Sequence, residues 1–222
     1  ENGNYAVTRQ YFNKCYITGN VDFIYGAGTS VFEDCDIVAR YTEYKSDGCY
    51  TAGRTYASTP YGYVFNNCRF LAEEGVADGA YRMARPWGAD DSTTFMNCYL
   101  GRAISLETSY GDMSGNLAEN ARFAEYGSYG PGYTVNNKRP YLTSAQAAKF
   151  KTDTVMGDYD YSARTATLYG TQQEKPKTDI TVVDKAEVVK NVAVDENAVI
   201  KNAAGETVSP GEVSVVIEKA GN

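Results

Sequence analysis

The stretch Phe32-Glu33-Asp34-Cys35-Asp36-Ile37 follows an aromatic-x-x-Cys-x-apolar pattern that occurs four times within the first hundred residues. The cysteines of successive copies lie 20, 33 and 30 residues apart. The other three copies are residues 12–17 (FNKCYI), 65–70 (FNNCRF) and 95–100 (FMNCYL). A short unit that recurs in this way is typical of proteins built from stacked structural repeats.

The spacing within each copy indicates a corner in the chain. In a flat strand, an offset of three residues would place the Phe and the Cys on opposite faces, so both point inward only if the two residues between them turn. Asn and Asp, which tolerate left-handed backbone, are frequent at these intervening positions. A corner followed by a short strand in every copy predicts an all-β fold, a parallel β-helix (β-solenoid) with coils stacked about 4.8 Å apart. A β-sandwich with strands of shared composition is the alternative, and four matching copies favour the solenoid.

The rest of the chain is assigned around these coils. We expect the intervals 39–63 and 71–93 to be loops that extend from the coils, and Ala121 to Gly127 to be a last strand. A capping-box pattern from Thr143 to Gln146 predicts a short helix, which we expect to cover the open end of the solenoid. We assign residues 1–165 to the β-helix, 166–178 to a polar linker, and 179–222 to a Val-rich extension that is part of an incomplete accessory module.

Composition excludes several classes of function. The 222 residues contain no histidine, which removes Ser-His-Asp and Cys-His catalysis and histidine-bound zinc. A net charge of −7 argues against a nucleic-acid partner. No apolar run is long enough to span a membrane, and the sequence shows no signal-peptide pattern. The five cysteines form no Cys-x-x-Cys pair, and their odd number gives no clean disulfide framework.

A carboxylate in the stretch from Gly19 to Gly26 is the first candidate for chemistry. Strand alternation would place Val21, Phe23 and Tyr25 on one face, and Asp22 with Ile24 on the other. Because a buried unpaired carboxylate is costly, Asp22 must be solvated, paired with a cation, or retained for a reaction.

Two arginine-bearing segments are the other candidates. A glycine turn presents Arg54 in residues 50–55, and a proline joins Arg85 to Trp87, the only tryptophan. Arginine binds carboxylates by two parallel hydrogen bonds, and a flat aromatic suits the apolar face of a sugar. Taken singly, Arg85 is explained by a structural ion pair and Trp87 by ordinary packing. Together on a solenoid they favour a saccharide site.

At this point the sequence resembles the pectin methylesterase family. The motifs that carry the resemblance are residues 9–26, 53–55, 62–68, 85–87 and 119–127, and it covers roughly residues 5 to 160. The resemblance implies a right-handed parallel β-helix that hydrolyses methyl esters of homogalacturonan (pectin), with no metal or other cofactor. It also implies a secreted or cell-surface protein and a monomer.

The resemblance assigns roles to four residues. Asp22 corresponds to the nucleophile, Arg85 to the arginine that keeps this carboxylate ionised and oriented, Trp87 to a sugar-stacking residue, and Phe23 to an aromatic near the reacting sugar. Such chemistry proceeds through an acyl-enzyme that water hydrolyses, and it needs an acid and oxyanion donors.

The match to the family is incomplete. The family's general-acid aspartate and oxyanion glutamines belong to a segment that would precede Glu1, so we expect an N-terminally truncated catalytic domain with impaired turnover. Ala84 replaces a usual glycine, and residues 51–53 lack a usual glutamine. A non-catalytic polysaccharide-binding β-helix, or a calcium-dependent pectate lyase on the same fold, are the alternative functions.

Overall fold

A computed structural model describes residues 8–162 except 46, 137 and 138. The predicted linker, the Val-rich extension and the end of the predicted β-helix domain at residue 165 lie outside these residues. The strands are β1 (Arg9–Asn13), β2 (Tyr16–Gly19), β3 (Ile24–Gly26), β4 (Thr29–Glu33), β5 (Asp36–Ala39), β6 (Gly48–Gly53), β7 (Tyr63–Asn66), β8 (Arg69–Ala72), β9 (Tyr81–Ala84), β10 (Ser92–Met96), β11 (Tyr99–Leu100) and β12 (Arg122–Tyr126). Two short helices, α1 (Ser144–Ala147) and α2 (Thr152–Met156), and two 3-10 turns, Ala118–Asn120 and Ala148–Phe150, complete the structure.

The strands form three sheets whose paired strands all run parallel. The first sheet has the order β1-β4-β7-β10-β12, the second β2-β5-β8-β11, and the third β3-β6-β9. Each strand pairs with its counterpart one coil later, which is the arrangement of a parallel β-helix. The predicted fold class is confirmed.

The predicted corners lie between the first and second sheets. The last residue of each intervening pair has a positive φ of 52° or 53°, in the left-handed region that Asn and Asp tolerate: Lys14, Asp34, Asn67 and Asn97. The turn lets the Phe and the Cys of one copy both face the interior. The phenylalanines stack with ring centroids 4.7, 4.5 and 5.3 Å apart, in the order Phe12, Phe32, Phe65 and Phe95. The repeats therefore specify both the corner and the aromatic core.

The prediction that residues 39–63 and 71–93 are only loops is wrong. β6 lies in the first interval and β9 in the second, and with β3 they form the third sheet. All six residues of β6 are buried, so its sequence shows no alternation of polar and apolar residues. Strands buried on both faces lack the period-two signal by which a strand is recognised in sequence.

The last strand of the solenoid is confirmed, but it has a charged residue at the position where the preceding coils have a phenylalanine. In β12, Glu125 aligns with Phe95 of the preceding coil, at the position of the phenylalanine stack. Its carboxylate is fully buried and accepts two hydrogen bonds from Arg139, at 2.8 and 2.6 Å. Pro140 and Leu142 hydrogen-bond to the backbone of Glu125. An extended segment, rather than a helix, therefore borders the final strand.

The predicted helix forms, with the capping box of Thr143 and Gln146, but it does not cover the end of the solenoid. Its Ala147, together with Val155 and Met156 of α2, packs on residues of β4, β7 and β10 that face away from the solenoid interior. These outward residues, Val31, Val64 and Met96, form an apolar stripe that the helices bury. In the part of the chain that the structure describes, no helix is long and apolar enough to cross a membrane.

Candidate active site

Asp22 lies in a bend between β2 and β3, not in a strand as expected. Its φ is 52°, and its N–H donates to the carbonyl of Cys49 at 2.8 Å. The positive φ breaks the strand alternation, so the predicted sharing of one face by residues 21, 23 and 25 is wrong. Phe23 packs edge-on against Tyr50 at 5.8 Å, whereas Tyr25 is 69% exposed. The bend turns the Asp22 side chain toward the third sheet of the next coils.

Arg85 follows β9 directly and reaches back across two coils to Asp22. Its backbone N–H donates to Thr51 in β6 at 3.1 Å, which fixes the start of its side chain. Its Nε and Nη2 donate to the two oxygens of Asp22 at 2.7 and 2.5 Å, the two-pronged geometry expected of an arginine–carboxylate pair. These bonds raise the pKa of the Arg85 guanidinium above its ordinary value. The predicted pairing of these two residues is thus present in the structure.

The pair remains partly accessible to solvent. The Asp22 side chain is 19% exposed and that of Arg85 is 31% exposed. A cavity of about 280 Å³ adjoins them, lined among others by Val21, Cys49 and Gly111. Burial, and then the negative charge of Asp22, raise the pKa of the Cys49 thiol well above its ordinary value. The Cys49 thiol is therefore a neutral group that lines the cavity beside the charged pair.

Trp87 lies on an exposed aromatic surface next to this pair. It is 38% exposed, and the Arg54 guanidinium lies 5.3 Å from its ring centroid. Tyr25 meets it edge-on at 6.1 Å. Asn116 donates to the carbonyl of Trp87 at 3.0 Å, which holds the loop in place. The structure thus brings together two sequence candidates, Arg54 and Trp87, and adds Tyr25, which strand alternation had grouped with Phe23.

A buried carboxylate, Asp91, supports the turn that carries Arg54. It accepts hydrogen bonds from the N–H of Gly53 at 3.2 Å and the hydroxyls of Thr55 and Thr93, both at 3.4 Å. Among the residues that the structure describes, no cationic side chain pairs with it, and burial raises its pKa to about 7. Sequence reasoning missed this residue because nothing local marks Asp91 as buried.

The cysteines and the possible metal ligands are the remaining groups that could take part in chemistry. All five cysteines are free thiols. Those of the repeats point inward, and three of them donate to a phenylalanine carbonyl of the preceding coil. Across residues 8–162, apart from the three omitted positions, no group of three or more Cys, Asp and Glu side chains is placed to hold a metal ion.

Comparison with known proteins identifies the family. A family model described as Pectinesterase matches residues 4–159. This chain belongs to the pectinesterase family. Pectinesterase A of Dickeya dadantii is 38% identical over 166 residues, which cover 63% of this chain and 45% of that protein. A probable pectinesterase/pectinesterase inhibitor of Arabidopsis thaliana is 32% identical over 148 residues, covering 60% of this chain and 24% of that protein. The chain thus spans less than half the length of these curated pectinesterases.

Solved pectin methylesterases share the fold. The enzyme from Yersinia enterocolitica is 30% identical with a TM-score of 0.64, over 68% of this chain and 54% of that one. The carrot enzyme is 26% identical with a TM-score of 0.63, over 72% of this chain and 54% of that one. A pectin methylesterase variant solved with a hexasaccharide is 34% identical with a TM-score of 0.62, over 70% of this chain and 53% of that one.

Proposed function

We propose that this pectinesterase-family chain carries the nucleophilic half of an active site that removes methyl esters from homogalacturonan. The observation that carries the proposal is the two-pronged Asp22–Arg85 pair, partly exposed beside a cavity. Here the carboxylate is held rigidly by one cation yet remains accessible, which suits a nucleophile.

The chemistry proceeds in two steps. A carboxylate oxygen of Asp22 attacks the C6 carbonyl of a methyl galacturonate, and methanol leaves once the methoxide is protonated. Water then hydrolyses the acyl-enzyme and restores the carboxylate. Arg85 binds both oxygens of Asp22 but leaves lone pairs available, since each carboxylate oxygen accepts more than one hydrogen bond. The reaction also needs an acid that protonates the methoxide and donors for the oxyanion, and we assign neither role to a described residue.

Substrate binding is the proposed role of the exposed aromatic surface. Trp87 and Tyr25 offer apolar surface for sugar faces, and Arg54 adds a cation for the acidic polymer. Phe23 packs against the core with part of its surface accessible, and its contact with the reacting sugar stays a prediction. A secreted location and a monomeric state also stay predictions.

The test is methanol release from methyl-esterified pectin, by this chain and by a form extended upstream. We expect the extended form to release methanol, and Asp22→Asn to lower the rate by about 10⁴-fold while pectin binding persists. Asp34→Asn is a matched control, because Asp34 also has a positive φ (53°) but lies at a corner between the first and second sheets, whereas Arg85 follows a strand of the third.

Each alternative gives a different result. Methanol release that persists in Asp22→Asn would refute the assignment of Asp22 as the nucleophile. Pectin binding by the extended form with no methanol release would favour the polysaccharide-binding β-helix. Products that absorb in the ultraviolet and depend on calcium would favour the lyase.

A further inference from the structure

The guanidinium of Arg122 is bound entirely by backbone carbonyl oxygens. Its three nitrogens make five hydrogen bonds, which matches the five N–H donors that an arginine carries. The acceptors are Asp90 at 3.0 and 2.8 Å, Thr59 at 2.9 Å, Tyr56 at 3.1 Å and Pro60 at 3.4 Å. Because the donor fork is planar and rigid, this set of bonds holds the four carbonyls in one arrangement.

The four carbonyls belong to two loops. Three of them lie in residues 54–62, between β6 and β7, which we name the Arg54 loop. The fourth, that of Asp90, lies in residues 85–91, between β9 and β10, which we name the Trp87 loop. Neither stretch forms a strand or a helix, so side chains supply part of its hydrogen bonding.

The last strand of the solenoid brings Arg122 to both loops. Arg122 begins β12 and aligns with Ser92 at the start of β10. Its own N–H donates to the carbonyl of Asp91 at 2.7 Å, directly beside the Asp90 carbonyl that its side chain binds. The backbone of a rigid strand therefore fixes the position of the guanidinium.

The two loops form two walls of one groove. A cavity of about 410 Å³ is lined by residues 54–56 of the Arg54 loop and residues 87–90 of the Trp87 loop, with Ser114 and Asn116 on a third side. The loops approach closely at Gly88, where a Cβ would lie 2.7 Å from the Arg54 Cγ. Tyr56 and Asp90 both line the cavity, so the guanidinium that binds their carbonyls joins its two walls.

Other side chains hold the earlier residues of each loop. The Asp91 carboxylate accepts from Gly53 and Thr55, and Asn116 donates to the carbonyl of Trp87. The guanidinium instead binds the later residues of both loops. Its removal would leave carbonyl dipoles of the two loops close together without the cation between them, and their repulsion favours a wider groove.

We propose that Arg122 is a positioning residue that sets the width of this groove for a methyl-esterified uronide chain. This inference rests on the proposed function, in which Trp87 and Arg54 bind the polymer. Arg122 acts through the backbone of the two loops rather than by contact with the sugar. It keeps the Arg54 guanidinium 5.3 Å from the Trp87 ring centroid, so that both meet the ligand in a fixed arrangement.

The test is a double-mutant cycle of Arg122→Gln and Trp87→Ala in the full chain, with binding of methyl-esterified trigalacturonate measured by calorimetry. We expect Arg122→Gln to weaken binding by up to about tenfold, the loss expected for the Trp87 stacking that it supports. The double variant should bind no more weakly than Trp87→Ala alone, because residues that act as one unit give non-additive losses. Arg122→Lys keeps the charge but lacks the planar fork, so it should restore the affinity only in part.

Fluorescence of Trp87, the only tryptophan, gives a second readout that needs no ligand. A wider groove should make its emission more readily quenched by acrylamide in Arg122→Gln. Arg102→Gln is the matched control, because Arg102 also donates to a loop carbonyl, that of Val76 at 2.5 Å, but in the loop between β8 and β9. This control should change neither the quenching nor the affinity.

The outcomes separate this inference from the proposed function. Stronger quenching in Arg122→Gln, with a loss of affinity that is not additive with that of Trp87→Ala, supports the inference. Unchanged quenching, additive losses, or unchanged affinity in either single variant overturn it and leave the proposed substrate class standing. If the unaltered chain does not bind the trisaccharide, the proposed function and the inference both fail. If circular dichroism shows that Arg122→Gln does not fold, Arg122→Lys decides by the same two measurements.

Discussion

The perturbation Asp91→Asn tests how a buried carboxylate supports the turn that carries Arg54. Asp91 is fully buried, no cationic side chain of the described residues pairs with it, and burial raises its pKa from 3.8 to about 7. In the unfolded chain it ionises near 3.8, so between these values the folded protein keeps a proton that the unfolded chain has lost. Stability from this group is therefore fully present below pH 3.8, falls as the pH rises, and levels off above about 7.

The size of the effect on the free energy of unfolding follows from the difference between the folded and unfolded pKa values of Asp91. One pKa unit corresponds to about 1.4 kcal/mol, so the interval from 3.8 to about 7 corresponds to roughly 4 kcal/mol. Asparagine does not titrate and retains a carbonyl that accepts from Gly53. We therefore expect the free energy of unfolding of Asp91→Asn, relative to the unaltered protein, to rise by about 1.4 kcal/mol per pH unit between pH 4.5 and 6.5.

The assay is urea unfolding at several pH values from 4.5 to 8, followed by fluorescence of Trp87, the only tryptophan. Because Trp87 contacts Arg54, its signal reports on the turn that Asp91 supports. The difference between the two proteins isolates one group from all others that titrate. Parallel stability curves for Asp91→Asn and the unaltered protein would refute the reasoning.

Three further substitutions test the fold and the binding surface. Arg139→Met leaves the buried Glu125 carboxylate unpaired and should lower the free energy of unfolding by about 3–5 kcal/mol in urea titrations, whereas a loss below 1 kcal/mol would show that the pair is dispensable. Asn67→Ala, at an exposed corner with φ 52°, should cost about 1–2 kcal/mol while Asn67→Gly costs less, and equal losses would contradict a conformational origin. Trp87→Ala should weaken binding of methyl-esterified oligogalacturonate about tenfold by calorimetry, and full affinity would remove Trp87 from the binding surface.

The fold class follows from the sequence because the repeat encodes it locally. An aromatic and a cysteine three residues apart share the interior only through a corner, and Asp34, Asn67 and Asn97 supply residues that tolerate the required backbone. The corner residues, and the apolar residues on either side of them, can therefore be recognised without knowledge of distant contacts. The final strand was also recognisable, as was the capping box of the first helix.

The third sheet was not recognisable, for a physical reason. β6 and β9 are buried along most of their length, so a regular alternation of polar and apolar residues does not mark them. The same applies to the helices, whose docking surface is a stripe of single residues, Val31, Val64 and Met96, on three strands far apart in sequence. Such surfaces exist only after the coils stack.

The sequence alone therefore determined the solenoid and the candidates Asp22, Arg85 and Trp87. Only the tertiary structure decided which of these residues contact one another. A bend with positive φ, rather than strand alternation, directs Asp22 toward an arginine 63 residues away. It also decided that Asp91 is buried, because burial depends on residues that the coils bring together, and no local pattern records it.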